Sequence, residues 1–477
     1  MAVAKRLPGP PPVAGAAPGA QRSGLTWRLA RKAAQRLSWG VADQGMSSIS
    51  NFAVNIYIAR TLGATQYGAF ALAYVTYSFA LNASRGLATD PLLVRYSGTD
   101  VPTWRRAVSD CTGTASVVGF ATGCCVLLAA LVMSGATRMA FLALGLTLPF
   151  LLLQDSWRFA FFALGRGSQA FLNDTVWVVA LIPGLLMLRM YGHASVFWFV
   201  FVWGLAAGAG AAVGPLQARV MPRLTHVAAW VSRHRDLGPR YLMEGTANSA
   251  SSQLRNYALG LTASLAAVGY VQAASTLMGP FMVVFFGMGL VTLPEATRVW
   301  RRSPRHLPLF CGVVSLGLAI AALLWGVVLL VTLPMGLGHF MLGSLWRPTY
   351  PLVLPFTISV IGGCVISGAG IGLHALGAAK RSLRAMVWSS AINIAGAVTG
   401  AVLDGALGTV IGLAIGTWIG VIGYWWQLRV ALREAEGAPA DHRFWPARPA
   451  GRHSATAEAR PSRSRPSPLC PEKGETL

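Results

Sequence analysis

Residues 38–63 read SWGVADQGMSSISNFAVNIYIARTLG, and this stretch decides how the whole chain is interpreted. It is apolar and longer than the roughly 20 residues that a helix needs to cross a bilayer. It also carries five strongly polar side chains: Asp43, Gln44, Ser47, Asn51 and Asn55. Positions 43, 47, 51 and 55 are four apart, so they share one face of a helix. Polar groups that face lipid are left unsatisfied, so we expect this face to point to protein or water.

The composition of the whole chain is that of a membrane protein. Of its 477 residues, 54% are hydrophobic and only 12% are charged, whereas about 25% of the residues in a soluble domain are charged. Apolar runs long enough to span a bilayer recur along the chain. We therefore predict an all-α integral membrane protein with about twelve spans. They are placed at 37–60, 66–87, 107–132, 139–163, 174–191, 195–217, 241–263, 267–293, 307–333, 350–376, 384–403 and 407–429.

The positive charge is distributed on one side of this predicted topology. The net charge is +23, and 32 of the 39 Lys and Arg residues fall in the two tails and in every second loop. Only four fall in the opposite loops, namely Arg60, Arg138, Arg189 and Arg347. This bias predicts that both termini are cytoplasmic. It also makes anionic lipids, rather than nucleic acid, the expected partner of the basic tails.

An internal repeat appears when the chain is shifted by 201 residues. Asp43 then aligns with Glu244, and Gly68 aligns with Gly269. Three further pairs align, namely Ser47 with Asn248, Asn51 with Ser252, and Asn55 with Asn256. Such parallel repeats are a transporter architecture in which the substrate site lies between the halves. We therefore predict two pseudo-symmetric six-helix lobes around a central cavity.

The repeat also predicts the organisation of the chain outside the lobes. Residues 1–36 form a basic tail that includes an amphipathic segment, and residues 431–477 form a basic, disordered tail rich in Pro, Arg and Ser. The two lobes occupy 37–218 and 241–430. A cytoplasmic linker, 219–240, joins them.

Polar and charged residues inside the predicted spans are the candidates for the site. Arg255 lies about fifteen residues into its span, roughly 22 Å deep by helical rise, and ionisable groups at depth usually mark a pathway. Its expected partner is Glu244 or an anionic substrate. Ser and Asn side chains also commonly form hydrogen bonds between packed membrane helices, so helix packing is the alternative role for each candidate Ser and Asn. In the fourth span, Asp155 and Arg158 are three apart and are expected to pair.

Several motifs resemble those of Wzx-like bacterial polysaccharide flippases of the multidrug/oligosaccharidyl-lipid/polysaccharide (MOP) exporter superfamily. Trp39, Asp43 and Gln44, followed by ARTLGATQYGAFALAY at 59–74, resemble the first two helices of that family. Three more segments match in order: RFAFFALGRGSQAFLND at 158–174, AAVGYVQAA at 266–274 and LGSLWRPTYPLVLP at 342–355. The resemblance covers roughly residues 37–430.

This resemblance implies a fold and a function. The fold is two six-helix lobes in a V around a cationic cavity. The function is the flipping of a polyprenyl-pyrophosphate-linked oligosaccharide from the cytoplasmic to the outer leaflet, and a polysaccharide polymerase and glycosyltransferases become expected partners. The implied cavity residues are Arg255, Asn248, Ser252, Asn256, Asn51, Asn55, Gln44, Arg85 and Arg60. Asp43 and Glu244 are the candidate coupling carboxylates, since a carboxylate in a partly dry cavity binds a proton more readily.

Three other functions stay open at this point. A drug or cation antiporter of the same fold would use the acidic groups Asp43 and Glu244. A scaffold in polysaccharide biosynthesis would keep the fold without transport. An outer-face enzyme would need a large outer loop, and the stretch 334–349 offers only His339 and Arg347. We therefore expect a non-enzyme. The six cysteines show no metal-ligand spacing, so we expect neither a metal nor another cofactor.

Overall fold

The computed structural model describes Trp39, residues 42–236, Gly238, Leu242 and residues 254–437. Within these ranges the chain is helical and contains no strand. Several predictions fall outside the described residues. They are the leader at 1–36, the tail beyond 437, and the candidate residues Glu244, Asn248 and Ser252.

The chain begins with two antiparallel helices that carry most of the polar candidates. α1 spans 42–61 and α2 spans Ala64–Ser84. A π turn, Arg85–Thr89, follows α2 directly and leads into the short helix α3, Asp90–Tyr96. The predicted second span, 66–87, therefore ends in this π turn.

Four long helices follow, joined by short turns, so that sequential neighbours run antiparallel. They are α4 (Val101–Leu131), α5 (Gly135–Ala163), α6 (Gly167–Met190) and α7 (Val196–Ala218). Gly165 adopts a positive φ of 73° at the end of α5, where the Arg166 amide donates to the Phe161 carbonyl. A glycine permits this conformation without the steric cost of a Cβ atom.

The second half of the described chain contains more breaks. After the short α8 (Val227–Arg233) come α9 (254–262), α10 (Leu265–Leu277) and α11 (Gly279–Arg302). α10 and the start of α11 are bent against each other by 52°, so the predicted single span 267–293 is a broken one. α12 (Leu307–Thr332) and the one-turn α13 (Gly338–Leu342) come next.

Two long helical segments complete the described chain. α14 spans Trp346–Ala375, and α15 spans Ala379–Gly437 with non-helical backbone at Asp404 and Gly405. At this break the helix folds back on itself, and its two arms pack closely. A Cβ on Gly400 would lie 1.9 Å from the Gly408 carbonyl oxygen. Small residues allow such close backbone approach between membrane helices.

The described chain is that of a multi-pass membrane protein. Six of its helical stretches are long and apolar enough to cross a membrane, or seven when the bent pair of α10 and α11 counts as one span. The stretches Pro304–Ala375 and Ala379–Ala435 are each interrupted, at 333–345 and at 404–405. α1 and α2, which carry the polar side chains, are not among the six.

The two halves of the chain meet through a pair of glycines. We call the end of the bundle that holds the turns 62–63, 132–134 and 191–195 the far end, and the opposite end the near end. At the far end, a Cβ on Gly68 of α2 would lie 1.7 Å from the Leu265 carbonyl oxygen. A Cβ on Gly269 of α10 would lie 2.5 Å from the Ala64 carbonyl oxygen.

This contact is reciprocal under the internal repeat. The shift of 201 residues that aligns Gly68 with Gly269 also aligns Ala64 with Leu265. Gly68 therefore packs on Leu265, and its repeat counterpart Gly269 packs on Ala64, which is the repeat counterpart of Leu265. Contacts of this self-complementary kind are those that a twofold axis produces.

Candidate functional site

A buried network of charges lies inside the first half of the chain, with Arg158 of α5 at its centre. The Arg158 Nε atom donates to Asp43 Oδ2 at 2.6 Å, and Nη2 lies 2.5 Å from the same oxygen. The Asp174 carboxylate of α6 is 3.5 Å from Nε. Asp43 is fully buried, and the Arg158 side chain is 13% exposed. One guanidinium thus joins α1, α5 and α6.

A second ion pair lies beside the first. Arg85, the first residue of the π turn, donates from Nε and Nη2 to the two carboxylate oxygens of Asp155 at 3.0 and 2.7 Å. Its guanidinium also stacks over Phe159, 4.8 Å from the ring centroid. The predicted Asp155–Arg158 pair is therefore wrong, because each residue pairs with a different helix. This bidentate pair fixes the position of the Arg85 side chain.

Amide side chains extend the network towards α7. Gln154 donates to Asp174 Oδ1 at 2.8 Å, and Asn173 donates to the Gly210 carbonyl at 2.9 Å and to Gln217 Oε1 at 3.0 Å. Buried charges are retained where hydrogen bonds satisfy their remaining lone pairs. Asp43 Oδ1 departs from this pattern, since it is buried and has no hydrogen-bond partner in the described part of the chain.

The network has more carboxylates than guanidiniums. Asp43, Asp155 and Asp174 face Arg85 and Arg158. If all five are ionised, the described part of the network carries one net negative charge in a poorly solvated environment. A single proton on Asp43 would neutralise this excess and would give the unpartnered Oδ1 atom a hydrogen to donate.

The remaining polar residues of α1 form hydrogen bonds mainly along their own helix. Asn51 donates to Ser47 Oγ at 3.5 Å, Asn55 to the Asn51 carbonyl at 2.9 Å, and Gln44 to Ser48 Oγ at 3.3 Å. Asn55 is buried, and its Oδ1 atom has no partner among the described residues. The predicted polar face is therefore present, but its Asp43 end points into the first half rather than across to the second.

Arg255 lies in α9, seven residues before that helix ends and so about 11 Å from its end by helical rise. Its Nε atom is buried and has no hydrogen-bond partner among the described residues. Asn256 is partly buried beside it. Nearby, Tyr257 joins the Thr76 hydroxyl of α2 through a short hydrogen bond that connects the two halves. The structure therefore places Arg255 close to the contact between α2 and α9.

Arg60 is separate from the other predicted cavity arginines. It ends α1 at the far end, where its Nη1 atom donates to the Phe340 carbonyl at 2.9 Å and its guanidinium lies over the Phe340 ring. Its side chain is exposed. The structure places Arg60 at the far end of α1, away from the Arg85–Asp155 pair, and its role in a substrate cavity stays a prediction.

Sequence reasoning missed a docking surface at the near end, where the segment 219–236 lies on the first half. Trp230 of α8 is fully buried, donates to the Leu87 carbonyl of the π turn at 3.1 Å, and stacks on Tyr96. Ser109 donates to the Met221 carbonyl at 2.6 Å. A Cβ on Gly113 would lie 2.1 Å from the Arg223 carbonyl oxygen. The aromatic Trp230 in a basic loop was the available signal.

His234 completes this docking surface and makes it sensitive to pH. Its Nδ1 atom donates to the Trp230 carbonyl at 2.8 Å, whereas Nε2 is buried without a partner in the described chain. Burial lowers the pKa of His234, and the neighbouring Arg95 and Arg233 lower it further, against the opposing effects of the hydrogen bond to the Trp230 carbonyl and of Asp236. The neutral ring is therefore the form that docks.

We expect the docked segment to loosen on acidification. The pKa of His234 is lower when the segment 219–236 is docked than when it is released. Docking is therefore most stable above roughly pH 6.5, the ordinary pKa of histidine, and weakens as the pH falls towards the pKa of His234 in the docked state. Trypsin cleavage after Arg233, followed by mass spectrometry, should accelerate between roughly pH 7 and pH 5.5. His234→Phe should abolish this dependence. An identical pH response in that variant would show that another group is responsible.

Several solved membrane transporters share this fold, although no protein-family model and no curated protein matches the chain. An inward-facing multidrug resistance MATE transporter of the MOP superfamily aligns with a TM-score of 0.65 and 12% identity over 82% of this chain and 96% of the other. The lipid II flippase MurJ, in an inward closed conformation, aligns with a TM-score of 0.62 and 13% identity over 83% and 89%.

A third solved structure agrees with these two. The Vibrio cholerae MATE transporter VcmN in its bent form has a TM-score of 0.51 and 16% identity, over 85% of this chain and 98% of its own. This chain has the MOP transporter fold. The predicted all-α, MATE/MOP-like fold is therefore confirmed, whereas the arrangement of twelve helices in two lobes and the polysaccharide-flippase subfamily stay predictions.

The MOP fold is shared by proteins with different substrates, so function must be argued from the site. In this chain two features stand out among the described residues. One is the carboxylate-rich network around Arg158, and the other is the buried, unpartnered Nε of Arg255.

Proposed function

We propose that this protein is a flippase that moves a polyprenyl-pyrophosphate-linked oligosaccharide from the cytoplasmic to the outer leaflet of a bacterial inner membrane. The observation that carries the proposal is Arg255, whose buried Nε atom lacks an acceptor among the described residues of a chain with a transporter fold. Arg255 is partly buried, a buried donor without an acceptor is costly, and phosphate suits the fork of donors that a guanidinium presents. The structural likeness to MurJ, a lipid II flippase, supports this substrate class.

The proposed architecture is two six-helix lobes, 37–218 and 241–430, joined by the linker 219–240 and built from twelve spans. The reciprocal packing of Gly68 and Gly269 supports a twofold relation between the lobes. The charge bias of the loops supports cytoplasmic termini, so the far end corresponds to the outer face. Transport then proceeds by alternating access, with the lobes parting at the far end to release the sugar.

The substrate is proposed to bind with its parts in different environments. The pyrophosphate pairs with Arg255, and amides such as Asn51 and Asn256 meet sugar hydroxyls in the cavity. The polyprenyl chain stays in lipid. Proton coupling is assigned to Asp43 and Glu244, and the excess carboxylate of the Arg158 network supports this role for Asp43. Anionic lipids, a polymerase and glycosyltransferases are the proposed partners.

Mass spectrometry of lipid that co-purifies with the gently extracted protein tests the proposal. Wild type should carry a polyprenyl-pyrophosphate sugar, and Arg255→Ala should lose it. A charge-assisted hydrogen bond contributes roughly 1.5–3 kcal/mol, so occupancy should fall by about 10- to 100-fold. Arg255→Lys, which keeps the charge but not the fork, should retain part of it. Bulk phospholipid alone in wild type would contradict the flippase assignment.

A drug or cation antiporter is the second candidate function. The excess of carboxylates in the network and the aromatic cluster of Tyr74, Tyr77 and Trp203 favour it, since cations bind over aromatic faces. It predicts that a deletion strain becomes sensitive to cationic drugs and accumulates no lipid-linked sugar. A transport-inactive scaffold predicts that Arg255→Ala causes neither sensitivity to cationic drugs nor accumulation of lipid-linked sugar.

A further inference from the structure

A cavity of about 430 Å³ opens at the far end of the first half. It lies where α1 and α6 end and α7 begins. Its walls combine polar and apolar side chains, contributed by Tyr57, Arg60, Thr61, Leu188, Arg189, Gly192, Ala194 and Phe199. The volume falls within the range of small-ligand sites.

The cavity is positively charged on the side of the protein that is otherwise poor in cations. The predicted topology assigns only four of the 39 Lys and Arg residues to this side, and two of them, Arg60 and Arg189, line this one cavity. No acidic residue lines it. Within the described chain, neither arginine forms an ion pair. Two uncompensated guanidiniums in one concave site favour an anion.

The donors around the cavity suit a phosphate group in particular. Arg60 uses Nη1 for the Phe340 carbonyl, which leaves its other donors available. Arg189 belongs to α6 and Arg60 to α1, so the two arginines line the cavity from separate helices. Planar guanidiniums bind phosphate oxygens through two parallel hydrogen bonds. Tyr57 also lines the cavity, and its side chain carries a hydroxyl donor.

The cavity walls are held by contacts that do not depend on a ligand. Gln66 of α2 accepts a hydrogen bond from the Val196 amide at 2.9 Å, which fixes the start of α7. His193 Nδ1 donates to the Tyr191 carbonyl at 2.8 Å within the turn. Gly192 takes a φ of 69° there, a conformation that glycine adopts without strain. The turn that forms one wall is thus built in place.

We propose that this cavity is a second anion site, which binds the pyrophosphate of the transported lipid at the outer face after it leaves Arg255. The inference rests on the proposed function and adds a release-side subsite to it. The shared chemistry is a phosphate or pyrophosphate group, whether free or attached to a lipid. The site lies at the level where a lipid headgroup meets water, so a polyprenyl chain can remain in the bilayer.

Binding of inorganic pyrophosphate and of farnesyl pyrophosphate to the purified full chain tests the site. The measurements are made in the Arg255→Ala background, so that the central arginine does not contribute. Arg189→Gln and Arg60→Gln should each weaken binding by roughly tenfold or more. Arg138→Gln is the matched control, because Arg138 is an exposed far-end arginine outside the cavity. Both cavity arginines are exposed, so these variants should fold.

The experiment distinguishes a free anion from a lipid-linked one. It also distinguishes failure of the cavity site from failure of the proposed flippase function. Tighter binding of farnesyl than of inorganic pyrophosphate supports a lipid-linked cargo, and equal affinities overturn that assignment. Equal binding by Arg189→Gln and Arg138→Gln overturns the site itself. The proposed function fails separately, through the absence of lipid-linked sugar from wild-type protein.

Discussion

Arg158→Met is expected to lower the free energy of unfolding by roughly 3–5 kcal/mol, the cost of leaving a buried charge without its partner. The variant keeps most of the side-chain volume but removes the guanidinium shared by Asp43 and Asp174. Both carboxylates are nearly inaccessible to solvent. Membrane interiors make such groups especially costly. Thermal and denaturant unfolding of the detergent-solubilised protein measures the loss.

Two matched variants sharpen this test. Arg166→Met removes an exposed arginine at the turn after α5 and should change stability by less than about 0.5 kcal/mol. Combining Arg158→Met with Asp43→Asn should recover part of the loss, since removing both partners avoids the unpaired carboxylate. Equal stability of Arg158→Met and Arg166→Met would mean that the network does not support the fold.

The sequence located the polar and charged side chains within the spans better than it located their partners. The four-residue spacing of α1 correctly placed Asp43 and Asn55 on one face, and depth within a span singled out Arg255. The partner of Asp43 lies 115 residues away on α5, and no periodicity reports a pair of that kind. Asp155 and Arg158 have the spacing of an ion pair, yet each meets a closer charge on another helix.

Helix ends and breaks show a similar division. Hydropathy located α4 to α7 because these helices are uniformly apolar and bounded by glycine-containing turns. It could not foresee the 52° bend between α10 and α11, because the apolar composition continues through the break. The π turn at Arg85–Thr89 was also missed, since its sequence is compatible with an ordinary helix.

Gly269→Val and Gly68→Val are expected to prevent the far end from closing and to reduce transport by at least about fivefold. In the present structure an added Cβ on either residue would overlap a backbone carbonyl of the opposite helix. Neither atom belongs to a flexible side chain, so α2 and α10 must separate. Overpacking of this kind costs roughly 1–3 kcal/mol, which shifts a two-state equilibrium by about 5- to 150-fold.

The shift should be visible as a distance between the halves. Spin labels at Arg138→Cys and Arg347→Cys, both exposed far-end positions, report their separation by double electron–electron resonance in a cysteine-free background. The distance should lengthen in Gly68→Val and in Gly269→Val.

Gly63→Val is the matched control. Gly63 is exposed, has an ordinary negative φ, and has no atom within 4 Å of its added Cβ. Because the Gly68–Gly269 contact is reciprocal, the two glycine variants should act alike. A Gly68→Val distance distribution indistinguishable from that of Gly63→Val would show that the halves do not close through this contact. The twofold relation would then lose its main structural support.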